Sequence, residues 1–327
     1  MSKKIFITGG AGYVGAALVP KLLDLGYQVT VLDLFLFGEN LLQSHNKLRT
    51  IKGDIRDQDL LEKIVPGHEI VIHLACISND PSFELNPELG RAINLDAFEP
   101  LVKISKAKGV NRFIYASSSS VYGIKEEMDV HEGMSLEPLT DYSKFKADCE
   151  EILKKYKDDS FTVVTIRPAT VCGYSTRQRM DVVVNILTNL AYHKREISVF
   201  GGGQLRPNIH ISDMVNAYVA LIEADKNKIN GEIFNAGYEN QTVLELAEIV
   251  KSVIGEDVKI KFIPSNDNRS YHISSKKIND MLGFRATHKI SDAVEDLKSA
   301  FDDGRLIDPL NNEMYFNIKR MQNINLK

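Results

Sequence analysis

Lys4-Ile-Phe-Ile-Thr8-Gly9-Gly-Ala-Gly12-Tyr-Val-Gly15 decides how this chain folds. The apolar run up to Thr8 predicts a short buried strand. Ala16 to Leu25 then carries apolar residues at helical spacing, and Gly26 stops the pattern. Between strand and helix lies a tight turn with glycines at 9, 12 and 15. Without Cβ atoms, such a turn lets the backbone approach a pyrophosphate, which rests on the unpaired N–H groups of the helix N-terminus. Tyr13 and Val14 complete the loop and are expected beside Gly9, Gly12 and Gly15 as cofactor contacts. The next strand, Gln28 to Leu32, ends in Asp33, 18 residues beyond Gly15. A carboxylate there accepts hydrogen bonds from both adenosine ribose hydroxyls and repels a 2′-phosphate. Leu34 and Phe35 follow it and no compensating arginine stands beside it, so NAD is expected rather than NADP.

Working outward, strand patterns recur at Leu48–Gly53, Ile70–Ala75, Arg112–Ser117 and Phe161–Arg167, separated by helical patterns at Gln58–Val65, Glu88–Lys108 and Asp141–Tyr156. Such alternation predicts an α/β fold: a Rossmann-type, doubly wound parallel sheet covered on both faces. Ligands bind such sheets at the carboxyl ends of the strands. The glycine loop, Asp33, Asp54, the His73-Leu-Ala-Cys76 segment and the run Ser117–Ser120 all fall there. Beyond residue 170 the alternation loosens. Shorter strands are expected at Glu196–Phe200, Asn208–Ile211, Gly231–Asn235 and Lys259–Ile263, with helices near 181–194, 212–225, 242–254 and 290–303. The expected division is a cofactor domain over 1–170, with a segment near 208–235 returning to it, and a smaller α/β substrate lobe with tail over 171–327. The polar stretch from Asp308 to Lys327 reads as a strap or a subunit contact.

A net charge of −4 offers no basic footprint for nucleic acid. No apolar run approaches the ~20 residues of a membrane span, and no signal-peptide pattern precedes the first strand. A cytoplasmic protein is expected. Cys76, Cys149 and Cys172 lack metal-ligand spacing, and no metal site is expected.

Within the pattern from Thr140 onward, Tyr142 and Lys146 stand four apart, one turn along a helix face. A phenol has a pKa near ~10, and a neighbouring ammonium favours the phenolate by roughly 1–3 pH units. A serine hydroxyl on the same substrate oxygen completes a proton-handling site for an alcohol or carbonyl.

With these residues assembled, the chain resembles the extended short-chain dehydrogenase/reductase family, in its nucleotide-sugar epimerase/dehydratase branch. The resemblance is carried by Thr8–Gly15, Gly53-Asp-Ile-Arg-Asp57, His73–Cys76, Ser117-Ser-Ser-Ser-Val-Tyr-Gly123, Tyr142-x-x-x-Lys146, Arg167-Pro and Arg206-Pro-Asn-Ile-His-Ile-Ser-Asp213. It implies that Tyr142 is the general base, that Lys146 holds the nicotinamide ribose and the phenolate, and that Ser118 is the hydroxyl partner. It implies that Asp54 and Ile55 face the adenine, that Leu74 and Ala75 border the cofactor, and that Asn94 lies near the base of the active site. Arg206 and Arg269 match positions that clamp the diphosphate of a nucleotide-diphosphate sugar, a task suited to arginine's planar fork.

Three departures shape the expected reaction. Ser119 and Ser120 occupy the two positions after Ser118 where dehydratases of the branch carry Asp-Glu or a Glu. Thr170 stands where many epimerases have Asn. Ser78-Asn-Asp-Pro81 and Ser175-Thr-Arg-Gln-Arg-Met-Asp181 look like a subgroup associated with surface-polysaccharide sugars, which makes Arg177, Arg179 and Asp181 candidates for contact with the nucleotide or the sugar; Ser78, Ser119 and Thr170 are further substrate-side candidates. The expectation is a nucleotide-sugar 4-epimerase working through a 4-keto sugar. A 4-dehydrogenase or 4-keto reductase comes second, and a 4,6-dehydratase or a non-catalytic NAD-binding regulator after it. The resemblance also implies a homodimer built on the helices at Glu88–Lys108 and Asp141–Tyr156.

Overall fold

The computed structural model describes residues 3–78, 80–127, 129–265, 270, 272–324 and 326. In chain order the strands are β1 (Lys4–Thr8), β2 (Gln28–Asp33), β3 (Leu48–Lys52), β4 (Ile70–His73), β5 (Arg112–Ala116), β6 (Thr162–Pro168), β7 (Thr170–Cys172), β8 (Glu196–Phe200), β9 (Leu205–His210), β10 (Glu232–Ala236), β11 (Glu239–Thr242) and β12 (Lys259–Ile263). The helices are α1 (Gly15–Asp24), α2 (Gln58–Ile64), α3 (Asp80–Glu84), α4 (Pro87–Arg91), α5 (Phe98–Ala107), α6 (Asp141–Lys154), α7 (Val183–Lys194), α8 (Ile211–Glu223), α9 (Lys226–Ile229), α10 (Val243–Ile254), α11 (Lys276–Leu282), α12 (Ile290–Asp302) and α13 (Asn317–Ile324).

Seven strands form one sheet in the order β10-β6-β5-β4-β1-β2-β3, every neighbouring pair parallel. The strand order reverses between β1 and β4, which opens a crevice at their carboxyl ends. Alternation along β1 explains both helical layers. Ile5 and Ile7 face one side, where they join Leu18 and Leu22 of α1 and Met214 and Leu221 of α8. Phe6 faces the other, with Leu61 of α2, Leu101 of α5 and Leu153 of α6. β10 adds the seventh strand beside β6, so the chain returns to the first sheet after leaving it. The remaining strands form a three-stranded sheet, β11-β9-β7, and a two-stranded one, β12-β8. Beside them α7, α10 and α12 share a separate apolar cluster around Leu187, Leu246 and Val294.

Three expectations change. The single helix expected over Glu88–Lys108 is split: α4 passes through a π turn, Ala92–Asp96, into α5. There the Ala97 N–H reaches back five residues to the Ala92 carbonyl, while Cys149 of α6 donates to the Asn94 carbonyl. A long-range contact thus takes a carbonyl that a regular helix would use internally. The strand expected at Asn208–Ile211 begins earlier, at Leu205, and Ile211 already belongs to α8, whose first turn is capped by His210 Nδ1 accepting from the Ser212 N–H. β7 and β11 were not expected; one is three residues long, and the other, Glu-Asn-Gln-Thr, has no apolar alternation.

At the junction of α6, β5, β6 and β10 lies a buried polar network. Arg167, at the end of β6, forks onto Glu150 of α6 through Nε at 3.0 Å and Nη2 at 2.5 Å. Its Nη1 donates to Tyr122 Oη at 2.7 Å, and Tyr122 donates on to Asn235 of β10 at 2.8 Å. Ser117 donates to the same carboxylate. Replacing Glu150 by Ala leaves a guanidinium buried without its counter-ion, and urea unfolding should show a loss of about 3–5 kcal/mol. An unchanged midpoint would contradict the weight given to this pair.

Candidate active site

At the carboxyl ends of the central strands lies a cavity of about 530 Å³, closed on its far side by residues of the second lobe. It gathers Gly9, Gly12, Tyr13, Val14, Gly15, Asp33, Asp54, Ile55, Leu74 and Ala75 from the first strands. Ser118, Ser119, Tyr142 and Lys146 come from α6 and the turn after β5, Ser78 from the loop after β4, and Thr170, Arg177, Arg179 and Arg206 from the segments that follow β6. Arg269 lies outside the described residues.

The glycine loop is shaped for close approach. A Cβ on Gly9, whose φ is +72°, would lie 2.5 Å from the Ala75 nitrogen, and one on Gly15 would meet the Gly10 carbonyl oxygen at 2.5 Å. α1 starts with no side-chain cap and no acid in its first turn, so the positive end of its dipole faces the cavity uncompensated and suits an anion. Asp33 accepts from the Ala11 N–H at 2.9 Å on one oxygen and from the Phe35 N–H at 2.8 Å on the other. Each oxygen keeps a second acceptor site, as a ribose diol requires. Burial pushes the Asp33 carboxyl above its ordinary range. Asp54 is different: against the cost of burial, hydrogen bonds from Arg56 hold its carboxyl low. These features fit a dinucleotide.

At the other end of the cavity, α6 begins with a capping box. Thr140 Oγ1 accepts from the Ser143 N–H at 3.3 Å, and Ser143 Oγ accepts from the Thr140 N–H at 3.1 Å. This fixes the first turn, which carries Tyr142. One turn on, buried Lys146 donates to the Ala116 carbonyl at 2.6 Å, and its ammonium lies 5.8 Å from the Tyr142 ring centre. Ser118 is extended and caps a short 3₁₀ turn, accepting from the Ser120 N–H at 3.1 Å. His73, hydrogen-bonded to Thr8 at 2.7 Å, stays neutral, because burial and then Lys146 push it down to about 3.

Asn94 does not reach the cavity. Its amide accepts from the Ile77 N–H at 2.8 Å and donates to the Ile77 carbonyl at 2.9 Å, so it is consumed in holding the loop that presents Cys76 and Ser78. A second correction concerns Asp33. No arginine neighbours it in sequence, yet the fold brings buried Arg177 within electrostatic reach, stacked 3.6 Å above the Phe37 ring centre. Burial and the nearby Arg179 push the Arg177 guanidinium down to about 9, which leaves it charged at neutral pH. Arg179 pairs with Asp181 at 2.8 Å and senses the Tyr142 phenol. Arg177 Nε and Arg179 Nη2 are buried with no hydrogen-bond partner among the described residues. Cys76 lines the cavity, whereas Cys172 is wholly buried. Phe37, Asn317, Met321 and Leu326 also line it and were not anticipated. For Met321 and Leu326 the only sequence signal is two apolar residues inside a polar tail, and Asn317 gives none.

Fold and cavity together define a dinucleotide-dependent enzyme of the short-chain dehydrogenase/reductase type. A model described as the NAD dependent epimerase/dehydratase family matches residues 5–237, and the chain belongs to that family. Among curated relatives it is 26% identical to a UDP-glucose 4-epimerase of Lactobacillus helveticus, over 89% of this chain and 94% of that protein. Among solved structures it is similar to a UDP-N-acetylglucosamine 4-epimerase from Methanobrevibacter ruminantium M1, with 26% identity, a TM-score of 0.84, and coverage of 93% of this chain and 99% of that one. A UDP-glucuronic acid 4-epimerase from Bacillus cereus, in complex with UDP-glucuronic acid and NAD, gives 27% identity and a TM-score of 0.82, covering 90% and 99%. The cofactor is NAD.

Asp33→Ser should weaken NAD binding by about ten- to a hundredfold, the loss of charge-assisted hydrogen bonds at ~1.5–3 kcal/mol, and narrow the preference over NADP. Isothermal titration measures both; tighter binding of NADP than NAD by the unaltered chain would overturn the role given to Asp33.

Proposed function

We propose that the protein is a nucleotide-sugar 4-epimerase acting through a 4-keto sugar, in the synthesis of surface-polysaccharide sugars. The observation that carries this reading is the distribution of acids in the cavity. Its carboxylates are Asp33, Asp54 and Asp181 among the described residues. The first two stand at the strand ends β2 and β3, the adenosine side, and Asp181 is taken by Arg179 and by the Asn317 N–H. Around Tyr142 the wall offers hydroxyls from Ser118, Ser119, Ser120 and Thr170. Eliminating water across C5 and C6 needs an acid and a base beyond the tyrosine, and this wall supplies neither. Moving hydrogen on and off C4 needs one proton carrier, which Tyr142 supplies.

In this reading the Tyr142 phenolate takes the proton of the C4 hydroxyl and later returns it to the same oxygen. Ser118 donates a hydrogen bond to that oxygen throughout. Lys146, tethered to the Ala116 carbonyl, favours the ionised phenol electrostatically. Bound NAD supplies the acceptor and donor of the C4 hydride. Gly9, Gly12, Gly15 and the start of α1 would hold its pyrophosphate, and Asp33 its adenosine ribose. Arg206 and Arg179 suit the substrate diphosphate, with residues 171–327 as the lobe that brings them. A 4-dehydrogenase or 4-keto reductase uses the same residues and differs in whether the keto sugar leaves. No helix among the described residues is long and apolar enough to cross a membrane, which suits a cytoplasmic enzyme.

Tyr142→Phe should lower turnover by about 10²–10⁴-fold, the usual weight of a proton carrier, while nucleotide-sugar binding persists. Purified protein incubated with a panel of nucleotide sugars should yield an isomeric product without growth of NADH absorbance. Accumulating NADH would establish a dehydrogenase, and loss of water a dehydratase. EDTA should leave the rate unchanged. We also propose a homodimer through α5 and α6, whose half-buried Phe145 and Ile152 leave apolar surface beside the catalytic turn. Light scattering at micromolar concentration that gives a mass near 36.7 kDa with full activity would exclude an obligate dimer.

A further inference from the structure

The C-terminal segment ends its course on the cavity rather than in solvent. Asn317, the first residue of α13, is buried and uses three polar groups. Its N–H donates to Asp181 at 2.9 Å, its Nδ2 donates to Ser78 Oγ at 2.8 Å, and its Oδ1 accepts from Arg177 Nη2 at 2.5 Å. One turn later Arg320 donates to the Leu36 carbonyl at 2.6 Å, steadied by Glu313 at 2.6 Å. Met321 and Leu326 line the cavity together with Asp33 and the glycine loop. The segment therefore ties together the loop after β2, the loop after β4 and the second-lobe loop that carries Arg177. Those three walls surround the expected position of the adenosine and pyrophosphate.

We propose that the segment from Asp308 through α13 forms a clasp over the dinucleotide site, latched by Asn317, and that opening this clasp sets the rate at which NAD leaves. Asn317 acts as a positioning residue. By occupying one end of Arg177, it keeps the guanidinium stacked on Phe37, with Nε buried and without a partner among the described residues. The consequence for the reaction is direct: a redox-neutral enzyme finishes each turnover with NAD restored and needs no exchange, whereas a net dehydrogenase must open the clasp every cycle. The inference itself rests only on NAD binding and stands whether or not the 4-epimerase reading does.

The test is cofactor release, not activity. NADH bound to the full-length chain is displaced by excess NAD and followed by its fluorescence. Asn317→Ala combined with Arg320→Ala should speed release at least tenfold, with a smaller change in the association rate and an unaltered circular dichroism spectrum. Unchanged release would overturn the clasp. So would an association rate that rises as much as release does, which would mark the segment as a plug that competes with the cofactor. Hydrogen–deuterium exchange of the unaltered chain needs no variant: NAD should increase protection of the amides of α13. Unchanged or reduced protection there would overturn the proposal.

Discussion

Much of this architecture hangs on the buried pair between Arg167 and Glu150. Removing two full charges from water is costly, and mutual attraction offsets that cost only when the remaining donors and acceptors are also satisfied. Here they are. The guanidinium spends Nε and Nη2 on Glu150 and Nη1 on Tyr122, the carboxylate takes a further bond from Ser117, and Tyr122 passes its own proton to Asn235. These partners come from β6, α6, the residue after β5, the serine turn and β10. Such a network tolerates one relative placement of those elements. Ser117 precedes Ser118, and Glu150 follows Lys146 by one helical turn, so the geometry that satisfies the buried charge also sets the catalytic helix against the serine turn.

A second constraint joins the two lobes through the phosphate loop. Tyr13 lies between Gly12 and Gly15, yet its hydroxyl donates to the Gly173 carbonyl at 2.6 Å and accepts from Asn185 at 3.1 Å, while Ser175 donates to its carbonyl at 2.9 Å. Burial raises the phenol well above its ordinary range, so it remains a neutral donor. The loop is therefore shaped partly by residues about 160 positions away. The residues after β7 meet the first domain at the glycine loop and help to set its shape.

What could be read from sequence follows how local each signal is. The glycine loop, Asp33, the alternation of strands and helices and the Tyr142–Lys146 spacing all act within a few residues, and they place the fold and one side of the cavity. Asn94 was misassigned because its amide is spent on Ile77, a contact that no spacing announces. Arg177 beside Asp33 and Asn317 beside Arg177 are meetings across 144 and 140 residues, created by the return of the chain over its first domain. The π turn at Ala92–Asp96 is of the same kind: its sequence suits a plain helix, and the Cys149 thiol from α6 takes one of its carbonyls.

The charge pattern of the cavity then explains how one cleft holds two anionic ligands in order. Carboxylates stand at the ends of β2 and β3, where they suit a neutral diol or an adenine ring better than a phosphate. Arg177 reaches toward Asp33 and Arg56 pairs with Asp54, while the remaining cations stand farther along the cavity: Lys146 beneath Tyr142, and Arg179 and Arg206. In a partly desolvated cleft these charges act over longer distances than in water. A dinucleotide laid with its adenosine toward Asp33 puts its pyrophosphate on the glycine loop and its nicotinamide toward Tyr142. Reversed, it would set the adenine between Lys146 and the hydroxyls and leave Asp33 facing the nicotinamide end. Under the proposed reading the second ligand approaches from the arginine wall, where the same charges that orient the cofactor would point its diphosphate. Direction in this site is an electrostatic property before it is a steric one.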